Sequence, residues 1–222
     1  MSSASGNLVI FGVSNVLSDF FDVAHALELK VSKIVLNQPE VIRERTKTLN
    51  ERIQLLSAAP IVQNLEDFAP ISGESYVVAV TSPAKSVLIE RLENEYQIEF
   101  RSLIHPTAYV SPYAELGDGV FVGANSVVAP GAVIGRHVFI NRGVTVGHDT
   151  AVEEFARLFA GCNVGGHGLI GRGATIGLGA AVIEERIIGE GAFVAAGAVV
   201  VNDVEAGSLV AGVPAVFKKR IQ

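Results

Sequence analysis

Aliphatic side chains recur at every sixth position from Val110 to Val200, without a polar interruption. An α-helix has no repeat of this length, whereas a parallel β-helix turns one aliphatic residue per face inward every six residues. Three faces make a coil of about eighteen residues, so the pattern predicts a triangular prism of about five coils. The periodic positions are Val110, Leu116, Val122, Val128, Ile134, Ile140, Val146, Val152, Leu158, Val164, Ile170, Ile176, Val182, Ile188, Val194 and Val200.

The neighbours of these aliphatic residues fit the same structure. Glycine often follows them, as expected at a corner where a side chain would obstruct the next coil. Four residues after each aliphatic comes a mostly small or β-branched residue, which suits a narrow interior. Cys162 occupies one of these inward positions, so we expect it to pack in the core and not to act as a nucleophile. Phe121, Phe139 and Phe193 precede inward positions, and we expect them on the outside as part of an interface.

The first hundred residues have a different hydrophobic pattern, with short apolar runs that alternate with helical spacing. We interpret residues 1–102 as a small Rossmann-like α/β domain with a parallel sheet of four or five strands, and residues 103–222 as the β-helix domain. The order of strand, turn, helix and strand predicts a right-handed βαβ unit at its start. The predicted elements are strands at 7–12, 31–36, 76–80 and 98–101, helices at 16–29 and 83–96, and a helix or helix and loop at 40–58.

Composition and charge exclude several classes of protein. A length of 222 residues with 49% hydrophobic and 18% charged residues is sufficient for a buried core. The net charge of −6 argues against nucleic acid or an anionic membrane as a partner. A single cysteine precludes a disulfide within the chain and favours a reducing compartment. Residues 1–6 predict no signal peptide, and no apolar run predicts a membrane span, so we expect a cytoplasmic protein.

Several motifs within this pattern resemble those of the hexapeptide acyltransferases that fold as a left-handed β-helix. The nearest branch is the sialic-acid O-acetyltransferase-like family, which includes N-acetyltransferases of nucleotide-linked 4-amino sugars. This resemblance implies the left hand, acetyl-CoA as co-substrate without a metal, and a homotrimer with active sites between neighbours. The matching segments are Ile104-His105-Pro106-Thr107-Ala108, Ile140-Asn141-Arg142-Gly143, Gly147-His148-Asp149, Asn163-Val164-Gly165-Gly166 and Gly212-Val213-Pro214-Ala215.

His148 is the candidate catalytic base. It stands two residues after the inward Val146, at a corner, where its side chain points away from the core. Acyl transfer from a thioester to an amine or hydroxyl needs a base near pH 7, which suits imidazole with its pKa of about 6.5. Asp149 is placed to hold the other ring nitrogen and to stabilise the imidazolium. On the residues alone, a surface histidine beside a solvated carboxylate is the alternative, and the resemblance favours catalysis.

The coil period places two further residues beside this corner. Gly166 follows His148 by eighteen residues, so its N–H should face the developing negative charge of the acyl carbonyl; in the family a glycine here contacts the acetyl group. His167 follows Asp149 by the same interval, and it either pairs with that carboxylate or faces solvent.

The acyl carrier needs a groove along the prism. Leu178 and Ala196 follow Gly166 along neighbouring coils with small flanking residues, and in the family pantetheine contacts the backbone of such a groove. The resemblance assigns Gly212 and Pro214 to the turn at the cofactor end and Lys218 to the 3′-phosphate, although the basic tail is equally explained by solubility. Arg157 stands where several relatives carry a second histidine that orients the acyl group.

The α/β domain offers a second site. Ligands of parallel sheets collect at the carboxyl ends of the strands, which here carry Gly12-Val13-Ser14-Asn15, Asn37 and Thr81. The related enzymes seat the nucleotide there, behind several glycines and an acidic residue, whereas this chain has Gly12 alone and Asn37. We predict substrate contacts for Gly12, Ser14, Asn15, Asn37, Thr81 and, on the prism, Asn141. A domain that only supports packing is the alternative.

We interpret the chain as an N-acetyltransferase of a UDP-, dTDP- or GDP-linked 4-amino-4,6-dideoxy sugar. O-acetylation of sialic acid or of a polysaccharide precursor needs the same base and groove and remains an alternative. A scaffold without chemistry would be expected to lack His148 or the groove. A metal site like that of the γ-class carbonic anhydrases needs three converging histidines, and the spacing of His105, His137, His148 and His167 does not supply them.

Overall fold

The computed structural model describes residues 6–42 and 44–221, which form two compact units that meet in sequence between Leu103 and Ile104. Residues 1–5, where we predict no signal peptide, lie outside the described residues. Within the described ranges, no helix has the length and apolar character needed to cross a membrane.

The first unit is built on a parallel sheet with strand order β3-β2-β1-β4. Residues 8–11 of β1 are completely buried because β1 lies inside the sheet, with β2 and β4 on either side. β1, α1 and β2 form the predicted βαβ unit. The elements are β1 (Asn7–Phe11), α1 (Leu17–Ala26), β2 (Lys30–Leu36), α2 (Leu49–Ile53), β3 (Ile61–Asn64), a 3-10 helix (Leu65–Asp67), β4 (Glu74–Val78) and α3 (Lys85–Tyr96).

The local predictions in this unit are only partly correct. The strand at 98–101 is reduced to one bridge between Tyr76 and Phe100. The region 40–58 contains the short helix α2 and loops, in agreement with the predicted helix and loop. α2 begins with a capping box between Thr48 and Glu51, and residue 43 lies outside the described residues. The edge strand β3 was not predicted, because its apolar residues are largely exposed and show no buried alternation.

The second unit is a β-helix in which every six residues contribute one short strand. Its strands are β5 (Leu103–Ile104), β6 (Tyr109–Val110), β7 (Glu115–Leu116), β8 (Phe121–Val122), β9 (Val127–Val128), β10 (Val133–Ile134), β11 (Phe139–Ile140), β12 (Thr145–Val146), β13 (Ala151–Val152), β14 (Arg157–Leu158), β15 (Asn163–Val164), β16 (Leu169–Ile170), β17 (Thr175–Ile176), β18 (Ala181–Val182), β19 (Ile187–Ile188), β20 (Phe193–Val194), β21 (Val199–Val200), β22 (Ser208–Ala211) and β23 (Val216–Arg220).

These strands form the three faces of a left-handed parallel prism, as predicted. From β6 to β21, parallel partners are eighteen residues apart, for example Val146 and Val164. The three sheets have orders β19-β16-β13-β10-β7, β21-β18-β15-β12-β9-β6 and β23-β22-β20-β17-β14-β11-β8-β5. The chain then turns back, because β23 pairs antiparallel with β22. Residues 216–220 therefore form an ordered strand where the sequence suggested only a basic tail.

The prism interior is filled by the aliphatic residues of the six-residue period. Cys162 is fully buried among them, and this burial raises the pKa of its thiol to about 12. The thiol therefore stays protonated near neutral pH, which agrees with a packing role.

The outward aromatic residues behave differently from the prediction. Phe121 and Phe139 are only 2% and 1% exposed, and their rings stack with centroids 5.0 Å apart. The rings of Phe139 and Phe159 pack edge to face, with centroids 6.2 Å apart. Phe193 is partly exposed. The expectation of an exposed aromatic surface is therefore wrong for Phe121 and Phe139, because a position outside the prism core is not necessarily in solvent.

Candidate active site

The corner after β12 carries the two predicted catalytic residues. His148 Nδ1 lies 2.8 Å from Asp149 Oδ2, a hydrogen bond in which the ring N–H donates to the carboxylate. Asp149 has a left-handed backbone conformation with φ of 55°. Both side chains are more than half exposed, at 55% and 56%. In the neutral imidazole the carboxylate therefore holds the proton on Nδ1, and Nε2 is the acceptor nitrogen of the ring.

Backbone and hydroxyl contacts hold this corner to the next coil. The His167 N–H donates to the His148 carbonyl at 2.9 Å. The buried Thr150 hydroxyl donates to the Gly165 carbonyl at 2.8 Å and accepts from the Gly168 N–H at 3.3 Å. Thr150 follows Val146 by four residues and thus occupies one of the small inward positions of the six-residue period. A hydroxyl at an inward position was the signal that could have identified it.

Gly131 makes room for the Asp149 carboxylate. A Cβ atom on Gly131 would lie 2.3 Å from Asp149 Oδ1, which is far inside van der Waals contact. Gly131 stands one coil before Asp149, and its backbone φ of 73° also favours glycine. Subtracting eighteen from 149 would have found this residue, which the sequence analysis did not consider.

Gly166 lies directly against the His148 ring. A Cβ atom on Gly166 would be 2.9 Å from Nε2 and 3.0 Å from Cε1, so the free face of the imidazole meets the glycine. Within residues 6–42 and 44–221, the Gly166 N–H has no hydrogen-bond acceptor. The structure thus brings Gly166 to the place that the coil period predicts, while its contact with an acyl group stays a prediction.

His167 completes a small polar cluster with His148 and Asp149. The two imidazole rings meet edge to face with centroids 4.8 Å apart. His167 Nε2 lies 4.0 Å from Asp149 Oδ2, beyond hydrogen-bond distance. The ring therefore stands beside the carboxylate without a direct bond to it.

The predicted cofactor residues of the following coils are exposed. Leu178 and Ala196 lie at successive corners, and the Leu178 carbonyl accepts from the Gly197 N–H at 2.8 Å. Added Cβ atoms at Gly179 and Gly197 would meet nothing within 4 Å. The corners thus form an open track with little side-chain cover.

The remaining cofactor predictions lie elsewhere on the prism. Gly212, with φ of 106°, precedes a cis peptide bond between Val213 and Pro214, and its carbonyl accepts from the Val199 N–H at 3.0 Å. Lys218 is exposed in β23. Arg157 lies in β14, on another face from the His148 corner. Its Nη2 donates to the Gly173 carbonyl at 3.0 Å, and burial lowers the pKa of this guanidinium.

Asn141, a predicted substrate contact, is 6% exposed. Its Oδ1 accepts from the Arg142 N–H at 2.7 Å, and its carbonyl accepts from the Ser126 hydroxyl at 2.7 Å. These bonds give Asn141 a structural role at its corner, and the sequence motif alone did not reveal its burial.

Most of the other predicted substrate residues lie at the carboxyl ends of the strands of the first unit. The Gly12 N–H donates to the Val35 carbonyl at 2.9 Å, and a Cβ atom there would lie 2.7 Å from Val80 Cγ2. The Ser14 hydroxyl donates to the Ala79 carbonyl at 2.7 Å. Asn37 follows β2, and its Oδ1 is buried without a hydrogen-bond partner among the described residues. Thr81 follows β4 and is partly exposed.

Arg52 is a residue of this edge that the sequence analysis missed. It is 9% exposed, and its guanidinium donates to the Asn15 carbonyl at 3.1 Å, to Asn15 Oδ1 at 2.9 Å and to the Ser18 hydroxyl at 3.0 Å. Together with Lys47 it lines a cavity of about 20 Å³ beside Ser14. The positive charge therefore lies where the turn after β1 ends.

The chain is similar to one protein family and to several solved structures. Residues 113–148 match the family described as bacterial transferase hexapeptide (six repeats). The comparison with curated proteins gives no match. A variant of perosamine N-acetyltransferase from Caulobacter crescentus, solved with CoA and GDP-perosamine, is 26% identical with a TM-score of 0.81, over 96% of this chain and 97% of that chain. The acetyltransferase domain of PglB from Neisseria gonorrhoeae is 28% identical with a TM-score of 0.81, over 96% and 99%.

The chain is an acyltransferase with a hexapeptide-repeat β-helix. A further solved structure, of the same PglB domain with acetyl coenzyme A, is 28% identical with a TM-score of 0.79 and covers 96% of this acyltransferase and 100% of that chain. Both units of this acyltransferase thus have counterparts in enzymes whose names state acetyl transfer.

Proposed function

We propose that this acyltransferase transfers the acetyl group of acetyl-CoA to the 4-amino group of a nucleotide-linked 4-amino-4,6-dideoxy sugar. The observation that carries the proposal is the 2.8 Å bond between His148 Nδ1 and Asp149 Oδ2, which leaves Nε2 free against Gly166. The similarity to perosamine N-acetyltransferase supports the amine acceptor.

His148 acts as the general base in this proposal. Its Nε2 takes the proton that the attacking amine loses as the new bond between nitrogen and carbon forms. Asp149 stabilises the resulting imidazolium through the Nδ1–H bond. The Gly166 N–H donates to the carbonyl oxygen on which negative charge develops, an interaction worth about 3 kcal/mol in comparable sites. The bond between carbon and sulfur then breaks, and the thiolate leaves with a proton from the imidazolium.

The track beyond Gly166 fits the acyl carrier. Acetyl-CoA supplies the acetyl group as a reactive thioester. Leu178 and Ala196 present exposed corners at successive coils, and the glycines beside them leave backbone groups accessible to an extended ligand. Lys218, exposed in β23, provides positive charge suited to a phosphate at the far end.

The first unit holds the nucleotide in this proposal. The buried Asn37 Oδ1 lacks a partner and suits an N–H donor of a base, since buried acceptors are nearly always satisfied. Ser14, Asn15 and Thr81 lie at the same edge of the sheet, and the guanidinium of Arg52 donates to Asn15. Positive charge and hydroxyl groups at this place suit a diphosphate.

The test is release of the CoA thiol from acetyl-CoA with a panel of nucleotide-linked 4-amino sugars. Matching 4-hydroxy sugars and free sialic acid serve as controls. The proposal expects release with an amino sugar and not with its hydroxyl counterpart. Release with hydroxyl acceptors alone would overturn the amine, and no release with any acceptor would overturn the transferase function.

The proposal includes a homotrimer with active sites in the clefts between neighbouring prisms, as the resemblance implies. Light scattering coupled to gel filtration measures this directly. The expected mass is three times the 23.3 kDa of one chain. A monomer with full activity would contradict it.

A further inference from the structure

We infer that His148, Asp149 and His167 form a binding site for a soft divalent metal ion such as Zn²⁺, and that the bound metal inhibits the enzyme. The three side chains offer two imidazole nitrogens and one carboxylate oxygen within 4.8 Å of one another. Imidazole and carboxylate are ligands that Zn²⁺ accepts readily, and a fourth position would remain for water. The inference concerns inhibition and is independent of which acceptor the enzyme uses.

The measured separations bracket those of a zinc site. Two ligand atoms held about 2.1 Å from a tetrahedral ion lie about 3.4 Å apart. His148 Nδ1 is 2.8 Å from Asp149 Oδ2, and His167 Nε2 is 4.0 Å from the same oxygen. Small rotations of exposed side chains therefore suffice to bring all three atoms to the metal.

The backbone beneath the cluster is already fixed. The His167 N–H donates to the His148 carbonyl at 2.9 Å, and the Asp149 N–H donates to the Pro130 carbonyl at 3.1 Å. Asp149 and His167 hold the same left-handed conformation at equivalent corners of successive coils, with φ of 55° and 56°. Ligands carried on such a rigid scaffold lose little freedom on binding the ion.

The surrounding charge also favours a cation. Glu184 lies one coil beyond Gly166, which itself lies one coil beyond His148. Glu185 follows His167 and Asp149 in the same way. The Glu185 N–H donates to the Gly166 carbonyl at 2.9 Å, which places this acidic corner on the adjoining coil. The negative charge of the corner raises the local concentration of divalent cations.

Metal binding and catalysis exclude each other in this arrangement. A metal on Nδ1 replaces the proton that His148 donates to Asp149, and it takes the carboxylate that stabilises the imidazolium. The ion also puts positive charge beside Nε2, which opposes protonation of the ring. The metal therefore removes the base, and its role is inhibitory and not that of a cofactor.

The test is calorimetric titration of the intact protein with ZnCl₂, without substrates, and then with MgCl₂. We expect one zinc ion per chain, and Mg²⁺ should not bind because hard cations require oxygen ligands. His167→Asn and Asp149→Asn should each weaken zinc affinity by about tenfold or more. His25→Asn, which removes an exposed histidine of the other unit, should keep wild-type affinity, and circular dichroism confirms that the variants are folded.

Inhibition is measured on the same proteins by chromatographic detection of the acetylated product. Zinc should lower the wild-type rate, and a chelator should restore it. The zinc concentration for half inhibition should rise at least about tenfold in His167→Asn, in line with its weaker binding. The inference would be overturned by the absence of zinc binding, by wild-type zinc affinity in both cluster variants, or by binding at this cluster without loss of rate. Failure of the transferase proposal would leave the titration result unaffected.

Discussion

Substitution of Gly166 by alanine should lower the activity of this enzyme without lowering its stability. The new methyl carbon would lie 2.9, 3.0 and 3.1 Å from Nε2, Cε1 and Cδ2 of His148. Ordinary contact between such atoms needs about 3.5 to 4.0 Å, so the ring must move by roughly 0.5 to 1 Å. Displacement of a catalytic group by about 1 Å can cost about a hundredfold in rate. We therefore expect kcat to fall by about 10- to 100-fold.

The stability of the same variant should not fall. Gly166 does not adopt a positive φ, so alanine is accommodated by the backbone, and the exposed imidazole is free to turn aside. Replacement of glycine at a compatible position usually adds about 0.4 to 1 kcal/mol by restricting the unfolded chain. Thermal unfolding should show a Tm equal to or slightly above that of the wild type.

Gly143→Ala is the matched control. Gly143 has a φ of 65° in open space, so alanine there creates backbone strain without touching a neighbour. We expect a loss of about 1 kcal/mol in unfolding free energy and an unchanged kcat. Thiol release with the acceptor found in the panel measures the rate, and imidazole resonances in NMR spectra report the His148 ring directly. Full activity and an unmoved His148 resonance in Gly166→Ala would refute the contact.

Two further predictions concern Asp149 and Cys162. Asp149→Asn removes the charge that stabilises the imidazolium, and thiol-release kinetics should show kcat lower by about tenfold or more with little change in acetyl-CoA affinity; an unchanged kcat would contradict the role of this carboxylate. Burial raises the Cys162 pKa to about 12, so a thiol reagent at pH 8 should label the denatured chain and not the folded one. The thiol of the unfolded chain ionises near pH 8.5 to 9, so the contribution of Cys162 to the free energy of unfolding is complete below that pH and is lost as the pH rises towards 12. Denaturation midpoints measured between pH 8 and 11 should therefore fall as the pH rises.

The prism was predictable from the sequence because its geometry is periodic. The six-residue period identified the inward positions, including that of Cys162. The eighteen-residue length of one coil placed Gly166 beside His148. The same rule would have found Gly131 beneath Asp149. Side-chain neighbours in a β-helix follow from subtraction because each coil repeats the one before it.

Features that depend on packing outside this period could not be read in the same way. The burial of Phe121 and Phe139 depends on what covers their face, which the repeat does not encode. The exposed edge strand β3 gave no alternation to detect, and the contact of Arg52 with Asn15 spans 37 residues. The position of Asn141 was clear from its motif, but its inward hydrogen bonds were not.

The central claim is that the His148 imidazole removes the proton from the acceptor amine. The most direct test compares kcat for the wild type and His148→Asn with saturating amino-sugar acceptor, together with calorimetric binding of CoA to both proteins. The account predicts a loss of about 10² to 10⁴ in kcat with nearly unchanged CoA affinity. A variant that keeps the wild-type rate would contradict the assignment of His148 as the base.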